Sequence, residues 1–383
     1  MTQQPEIFFI TGEASGDRHA APVVAELRAR GLRVTGVGGP RMRAAGAELL
    51  TDSINWGAMG VPEAVRKYFP LWLRSKGLLR EVRRRKPAVC VLVDFGFFNT
   101  TMARHLTRGR LAPVFFYFPP GSWRQEPRDW PGLAAITDRI ATPFARNAEF
   151  LKASGADAHW VGHPVVDTLE PVENRGQLRR ELGLPQDSPL IGVLPGSRIA
   201  ERRILGPVLL EAAQRIKAVL PTASFLWSSF PAAGAVEEKL AQQAQALGFF
   251  QPVSESHDIL RASDFVLVAM GTATLETAAA LTPMVTCYDG SRPAKWIAAR
   301  ILRQQQSFYA MPNLLLGRGA VPEVVPQSPD ESITGEVVAA EALRLLQDPA
   351  ALEAVREDLR QVRCLLGEPG VAGRVADLIV EMV

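Results

Sequence analysis

The 383-residue sequence predicts an α/β protein built from two Rossmann-like halves followed by terminal helices. Three observations carry this reading. Short β-rich runs alternate with longer helical patterns. Those runs are apolar at successive positions, as in strands of a parallel sheet covered by helices on both faces. A polar, proline-rich stretch from Pro164 to Pro189 then divides the alternation into two sets. The length agrees, since about 150 residues make a typical domain.

In the first half the expected strands are Ile7–Thr11, Arg33–Val37, Val89–Asp94 and Val114–Phe118, separated by helical patterns such as Asp17–Arg30 and Glu63–Lys86. Pro164, Pro171, Pro185 and Pro189 then mark a connector with a short helix inside. The second set of strands is Leu190–Leu194, Ser224–Trp227, Phe265–Val268 and Met284–Cys287, with helices over Ile204–Val219, Ala235–Leu247 and Thr274–Leu281. From about Ile333 the composition is helical, and Ala350–Leu365 and Val371–Met382 have amphipathic spacing. The expected division is 1–165, a linker over 166–188, 189–332, and terminal helices over 333–383. Terminal helices of this kind exchange between subunits in some oligomers, which leaves a homodimer open.

Hydrophobic residues make up 47% of the chain and charged residues 22%, a globular balance that excludes a disordered or collagenous chain. Lys and Arg number 43 against 40 Asp and Glu, a net charge of +3 that argues against a dedicated nucleic-acid binder. Cys90, Cys287 and Cys364 are far apart and odd in number, so neither a disulfide framework nor a zinc site is suggested, in keeping with a reducing cytosol. The first residues lack a basic region and cleavage site of the secretory kind. Apolar runs are much shorter than the roughly 20 residues that span a bilayer, so any membrane contact is expected to be peripheral.

Ligands of open α/β sheets bind beyond the carboxyl ends of strands, and five such places hold suggestive residues. Gly12-Glu13-Ala14-Ser15-Gly16-Asp17 leaves the first strand and opens a helix whose N–H groups a ligand could approach, although Glu13 and Asp17 would repel a phosphate; Asp17 alternatively is a helix N-cap. Gly36-Val37-Gly38-Gly39-Pro40, with Arg41 and Arg43 beyond, either faces an anion or is a plain tight turn. Neither cluster is a dinucleotide fingerprint, so a dehydrogenase is disfavoured. Asp94 ends an apolar run where desolvation raises a carboxyl toward the range of a general base, although it equally suits a cap. Pro195-Gly196-Ser197-Arg198 is the strongest phosphate signal: glycine lets the backbone approach, serine donates, and a guanidinium suits a diphosphate. The alternative pairs Arg198 with Glu201. Gly271-Thr272-Ala273-Thr274-Leu275-Glu276 forms a further turn, with Glu276 either receiving a ribose diol or serving the helix dipole.

His19, His105, His159, His163 and His257 show no zinc spacing, and no Asp-x-Asp pair occurs, so no metal is expected. Fixed cations and helix ends would offset the leaving group's charge. Finally, 65–76 mixes Phe69, Leu71, Trp72 and Leu73 with cations and runs into Arg83-Arg84-Arg85-Lys86. It either lies on an anionic bilayer or packs into a core with a solvated basic face.

Taken together with Met59-Gly60, Gly162-His163-Pro164 and Pro312-Asn313-Leu314-Leu315, these motifs resemble the lipid-A-disaccharide synthase family from residue 7 to about 327. The resemblance implies a GT-B glycosyltransferase, with two Rossmann-like domains, a cleft between them and no metal or cofactor. It implies inverting transfer of 2,3-diacylglucosamine from its UDP derivative to the 6-hydroxyl of 2,3-diacylglucosamine 1-phosphate, at the cytoplasmic side of the inner membrane. By position, Asp94 matches the family's suspected base, Ser197 and Arg198 its diphosphate loop, Gly271 and Thr272 its second turn, Glu276 its ribose contact, and Asn313 a polar residue near the nucleotide. Gly16, Asn99 and His163 match other crevice positions. The segment from Tyr68 to Leu79 falls on the family's membrane-docking surface.

The chain departs from that pattern at Phe97, where the family has a second acid, and at Tyr117-Phe118-Pro119-Pro120-Gly121-Ser122-Trp123-Arg124, which lacks a serine and a tryptophan. Met270 stands for a serine, and Asp289 for an arginine. Reversing charge at 289 shifts the binding of an anion unless Arg292 or Lys295 substitutes, or the substrate differs. A related transferase with another acceptor, and a non-catalytic nucleotide- or lipid-binding homologue, are the alternatives.

Overall fold

The computed structural model describes residues 4–57, 60–121, 130–171, 174–228, 235–249, 256–292, 295–296 and 308–383. The chain divides into two compact units, Met1–Asp167 with Leu366–Val383, and Thr168–Leu365.

In chain order the first unit holds β1 (Glu6–Ile10), α1 (Ala14–Ala29), β2 (Arg33–Gly38), α2 (Pro40–Ala44), β3 (Glu48–Asp52), α3 (Gly60–Arg85), β4 (Val89–Val93) and α4 (Gly96–Arg108). It continues with β5 (Val114–Tyr117), α5 (Trp130–Ala134), β6 (Arg139–Thr142), α6 (Ala145–Ala153), β7 (Ala158–Trp160) and α7 (Val165–Thr168). Its parallel sheet has the order β3-β2-β1-β4-β5-β6-β7, so strand order reverses between β1 and β4. One face buries Phe8, Ile10, Leu92 and Phe116 against Val82 of α3 and Met102 of α4. Each such side chain contributes about 1.5–3 kcal/mol. The apolar runs read from the sequence are these central strands.

The second unit holds α8 (Arg175–Glu181), β8 (Leu190–Leu194), α9 (Ile199–Val219), β9 (Ser224–Trp227), α10 (Ala235–Ala246), α11 (Ser256–Ala262) and β10 (Phe265–Ala269). Then follow α12 (Thr272–Ala279), β11 (Met284–Cys287), α13 (Met311–Leu316), β12 (Glu323–Val324), α14 (Gly335–Leu346) and α15 (Pro349–Leu366). The order β12-β11-β10-β8-β9 is again parallel and reverses between β8 and β10. The helix α14 packs on α9.

The segment 333–383 is divided between the units, because α16 (Val371–Val380) packs on α1 of the first. Its entry is fixed by Asp167, whose carboxylate accepts the amides of Gly370 at 2.7 Å and Val371 at 3.0 Å. Strands β3, β6, β7 and β12 have no counterpart in the sequence reading. They are two to five residues long, and β3 is mostly exposed, so neither length nor alternation marks them. Among the described residues no helix is long and apolar enough to cross a membrane.

Candidate active site

Each sheet has one point where strand order reverses, and there the loops beyond the carboxyl ends diverge and leave room for a ligand. In the first unit these loops are Gly12–Ser15 after β1 and Asp94-Phe95 after β4. Asp94 and Phe95 both take left-handed φ, 51° and 54°. L-residues resist that region by about 1–3 kcal/mol each, so the surroundings must enforce it. Phe95 lays its ring against Gly12, where an added Cβ would come within 2.2 Å of it. Ser15 donates its hydroxyl to the Asp94 carboxylate at 3.1 Å, and the Phe95 amide donates to it as well. Burial nevertheless raises the Asp94 carboxyl above its ordinary value, the two hydrogen bonds opposing that shift. Gly16 and Asn99 are buried at the same point, Gly16 near Val93 O and Asn99 bonded to Asp94 O.

Ser15 escaped the sequence reading as a residue in its own right; its only signal was membership of the first glycine loop. Asp17 caps a helix other than its own. From the first turn of α1 it accepts the amides of Gly39, Arg41 and Met42 at 2.8–3.0 Å, at the start of α2. The second glycine cluster therefore leads into a capped turn whose amides are taken by an internal carboxylate, the tight-turn alternative of the two.

His163 follows β7 in the same unit. Its Nδ1 accepts the Val165 amide at 3.1 Å, and its own amide donates to Leu366 O at 2.7 Å. The ring lies edge-on to Phe118 and near His19, which stacks on Phe118 at 4.3 Å. Burial holds His163 well below its ordinary pKa and lowers His19 to about 3, so both rings are neutral at pH 7.

In the second unit, Ser197 and Arg198 follow β8 and Gly271 and Thr272 follow the neighbouring β10. All four are exposed at the reversal point. Gly196 has φ 111°, and a Cβ there would come within 2.6 Å of Glu201 Oε2. Arg198 donates to Glu201 at 2.8 Å with its side chain 55% exposed, a screened pair of small worth and the alternative the sequence leaves open for this arginine. Beneath the loop, Arg202 donates to Ser197 O at 2.7 Å and is buried. It was not anticipated, although it lies one helical turn beyond Arg198. Glu276 is buried one turn into α12.

Asn313 spends its amide within the chain. Nδ2 donates to Val321 O and Glu323 Oε1, both at 2.8 Å, and Oδ1 accepts the amides of Ala320 and Val321 at 2.7 and 2.8 Å. Glu323 also accepts the amides of Tyr309 and Ala310 at the start of α13. Asn313 thus organises the 317–323 turn, and its helix packs on α12.

The reversed charge at 289 has an internal partner. Asp289 Oδ1 meets Lys295 Nζ at 2.8 Å, with side chains 3% and 6% exposed respectively. Lys295 also donates to Glu331 O and Ser332 Oγ, while Asp289 accepts the Gly290 and Ile333 amides. Lys295 therefore neutralises Asp289 and is not a replacement cation for a ligand. Arg292 is exposed.

On α3, Phe69, Trp72 and Leu73 are exposed, Phe69 stacks on Trp72, and Lys76 Nζ lies 3.6 Å from the Trp72 ring centre. Leu71 packs instead against the core. Phe97, on the first turn of α4, is 77% exposed. Met59 and the loop 122–129, with Ser122, Trp123 and Arg124, lie outside the described residues.

Two doubly wound parallel sheets, each with its candidate residues at the reversal point, give the chain a fold of the GT-B class. Solved structures agree on the fold. The calicheamicin glycosyltransferase CalG4 has a TM-score of 0.62 at 16% identity, covering 100% of this chain and 98% of that one. MurG of Acinetobacter baumannii has 0.60 at 14%, covering 99% of both. The family model described as lipid-A-disaccharide synthetase matches residues 7–366. The lipid-A-disaccharide synthases of Myxococcus xanthus and Synechocystis are 34% and 32% identical, covering 100% and 98% of this chain and 99% and 97% of theirs. The chain belongs to the lipid-A-disaccharide synthase family.

Proposed function

We propose that the chain transfers 2,3-diacylglucosamine from its UDP derivative to the 6-hydroxyl of 2,3-diacylglucosamine 1-phosphate. Asp94 takes the proton of that hydroxyl as its oxygen bonds to the donor's anomeric carbon. The bond from that carbon to the diphosphate breaks, UDP leaves with the electron pair, and the configuration inverts. Arg198, with Ser197, meets the charge growing on the diphosphate, and the reaction takes neither metal nor cofactor. Gly271 and Thr272 line the donor side, and Glu276 receives the ribose diol. Asn313 supports the site by holding the 317–323 turn, and His163 by packing beside Phe118. The observation that carries the reading is the Asp94 carboxyl, raised by burial and held by Ser15 at the β1/β4 reversal, as suits a base working near neutrality. Family membership supplies the substrates.

The exposed Phe69, Trp72 and Leu73, interleaved with Arg74 and Lys76, support peripheral attachment to an anionic membrane, where both lipid substrates reside. That placement corresponds to the cytoplasmic face of the inner membrane.

The test is Asp94→Asn, which removes the base and preserves the shape. UDP binding by calorimetry is expected to be unchanged while turnover falls at least 100-fold, the lower range for general-base catalysis. Wild-type turnover in this variant removes Asp94 from the mechanism. A second reading, transfer to a different acceptor, is favoured by Phe97, an exposed aromatic ring where the family has an acid. Mass spectrometry of products from a panel of acceptors separates the two, and UDP binding with no product on any acceptor identifies a non-catalytic homologue.

A further inference from the structure

The strained turn after β4 has a buried asparagine beneath it. Asn99, the fourth residue of α4, directs its amide back toward the strands. Its Nδ2 lies 3.2 Å from Ile10 O, 3.1 Å from Val93 O and 2.9 Å from Asp94 O. Those are the last carbonyl of β1, the last carbonyl of β4 and the carbonyl of the left-handed aspartate. The backbone closes the same turn, Asn99 N donating to Phe95 O at 3.0 Å.

A carboxamide nitrogen carries two hydrogens, so three acceptors share two donors and no hydrogen remains for a substrate. The side chain is wholly buried, and among the described residues Oδ1 has no hydrogen-bond partner. Turning the amide over would set that oxygen against three carbonyl oxygens, so repulsion fixes its orientation. A buried acceptor without a partner is a standing cost, uncommon in folded chains. A leucine of similar size would abolish that cost while still filling the space. What only the amide supplies is a bond to the carbonyl of Asp94 and to the ends of both strands that define the reversal point.

We infer that Asn99 is a positioning residue that clamps β1 to β4 and holds Asp94 in the left-handed conformation from which its carboxylate meets Ser15 and the acceptor hydroxyl. This rests on Asp94 being the base. Asn99 touches neither substrate and acts through Asp94 alone.

The experiment compares the wild type, Asn99→Leu, Asp94→Asn and the double variant, using UDP-2,3-diacylglucosamine and 2,3-diacylglucosamine 1-phosphate in mixed micelles. Single-turnover runs at high enzyme concentration bring the slow variants into range. Asn99→Leu is expected to lower kcat at least tenfold, with both KM values within twofold of wild type. In the Asp94→Asn background the same substitution is expected to cost less than twofold, because the group it positions is already absent. Wild-type kcat in Asn99→Leu, or an equal loss in both backgrounds, overturns the inference, the latter being the mark of a merely structural residue. Asn99→Ser, which keeps one donor, applies the same split should the leucine variant unfold. Wild-type turnover in Asp94→Asn defeats the reading of Asp94 as base. Loss of turnover there, beside an unimpaired Asn99→Leu, defeats the clamp alone.

Discussion

Replacing Lys295 with methionine removes an ammonium group and keeps most of the stem, leaving Asp289 charged in a site where its side chain is 3% exposed. Breaking a buried pair in this way costs about 3–5 kcal/mol. Part of that is offset here, because the carboxylate keeps the Gly290 amide at 2.7 Å and the Ile333 amide at 3.3 Å. Only the first is short enough to carry the full worth of a charged hydrogen bond, about 1.5–3 kcal/mol. Both bonds are present before and after the change, so they are not subtracted; they ease the stranded charge and put the expected loss at about 2–3 kcal/mol, at or just below the low end of that range. At roughly 2–4 °C per kcal/mol for a unit of this size, the unfolding midpoint of Thr168–Leu365 should fall by ~4–12 °C. Scanning calorimetry measures this, with the transition of Thr168–Leu365 assigned by the upward shift expected on adding UDP, the nucleotide proposed to bind that unit. Adding Asp289→Asn to the lysine change removes the stranded charge and should restore the midpoint to within about 1 kcal/mol of wild type, since a neutral pair escapes the desolvation cost. A methionine variant as stable as wild type, or a double variant no better than the single, refutes the claim that Lys295 serves to neutralise Asp289.

Three further outcomes are expected. A base acts in its ionised form, so turnover falls as pH drops through its pKa. Ser15→Ala removes a hydrogen bond that lowers the Asp94 pKa, so the acidic limb of the kcat/KM profile should move to higher pH, and an unmoved limb counts against the Ser15 contact. Gly196→Ala puts a Cβ 2.6 Å from Glu201 Oε2 at a φ of 111°, so the loop must shift. UDP affinity by calorimetry should weaken about tenfold or more, and wild-type affinity contradicts the donor-side assignment. Changing Phe69, Trp72 and Leu73 together to serine should reduce sedimentation with anionic liposomes severalfold without altering thermal stability, because all three are exposed; undiminished sedimentation removes α3 as the docking face.

The sequence carried the central architecture because β1, β4, β8 and β10 are buried on both faces and so consist of apolar runs bounded by glycine turns. The loops at both reversal points were legible for the same reason, including Asp94 and Ser197-Arg198. Roles that depend on who meets whom across the chain were not legible. Asp17 lies in the first turn of α1, yet it caps α2, 22 residues and more away, and no local pattern encodes that. The family resemblance alone places Asn313 near the nucleotide, but its amide satisfies its own turn. Asp289 was read as a charge lost to the substrate, since the pairing with Lys295 exists only once the chain doubles back. Leu71 lies between Phe69 and Trp72 in sequence, but 100° per residue turns it to the other side of α3.

The assignment of Leu366–Val383 to the first unit has a consequence for synthesis. A ribosome releases the N-terminal sheet early, but α16, which covers α1, emerges only after the whole of Thr168–Leu365 has been made. The lobe begun first is therefore the lobe completed last, and until then the part of α1 that α16 packs on stays uncovered.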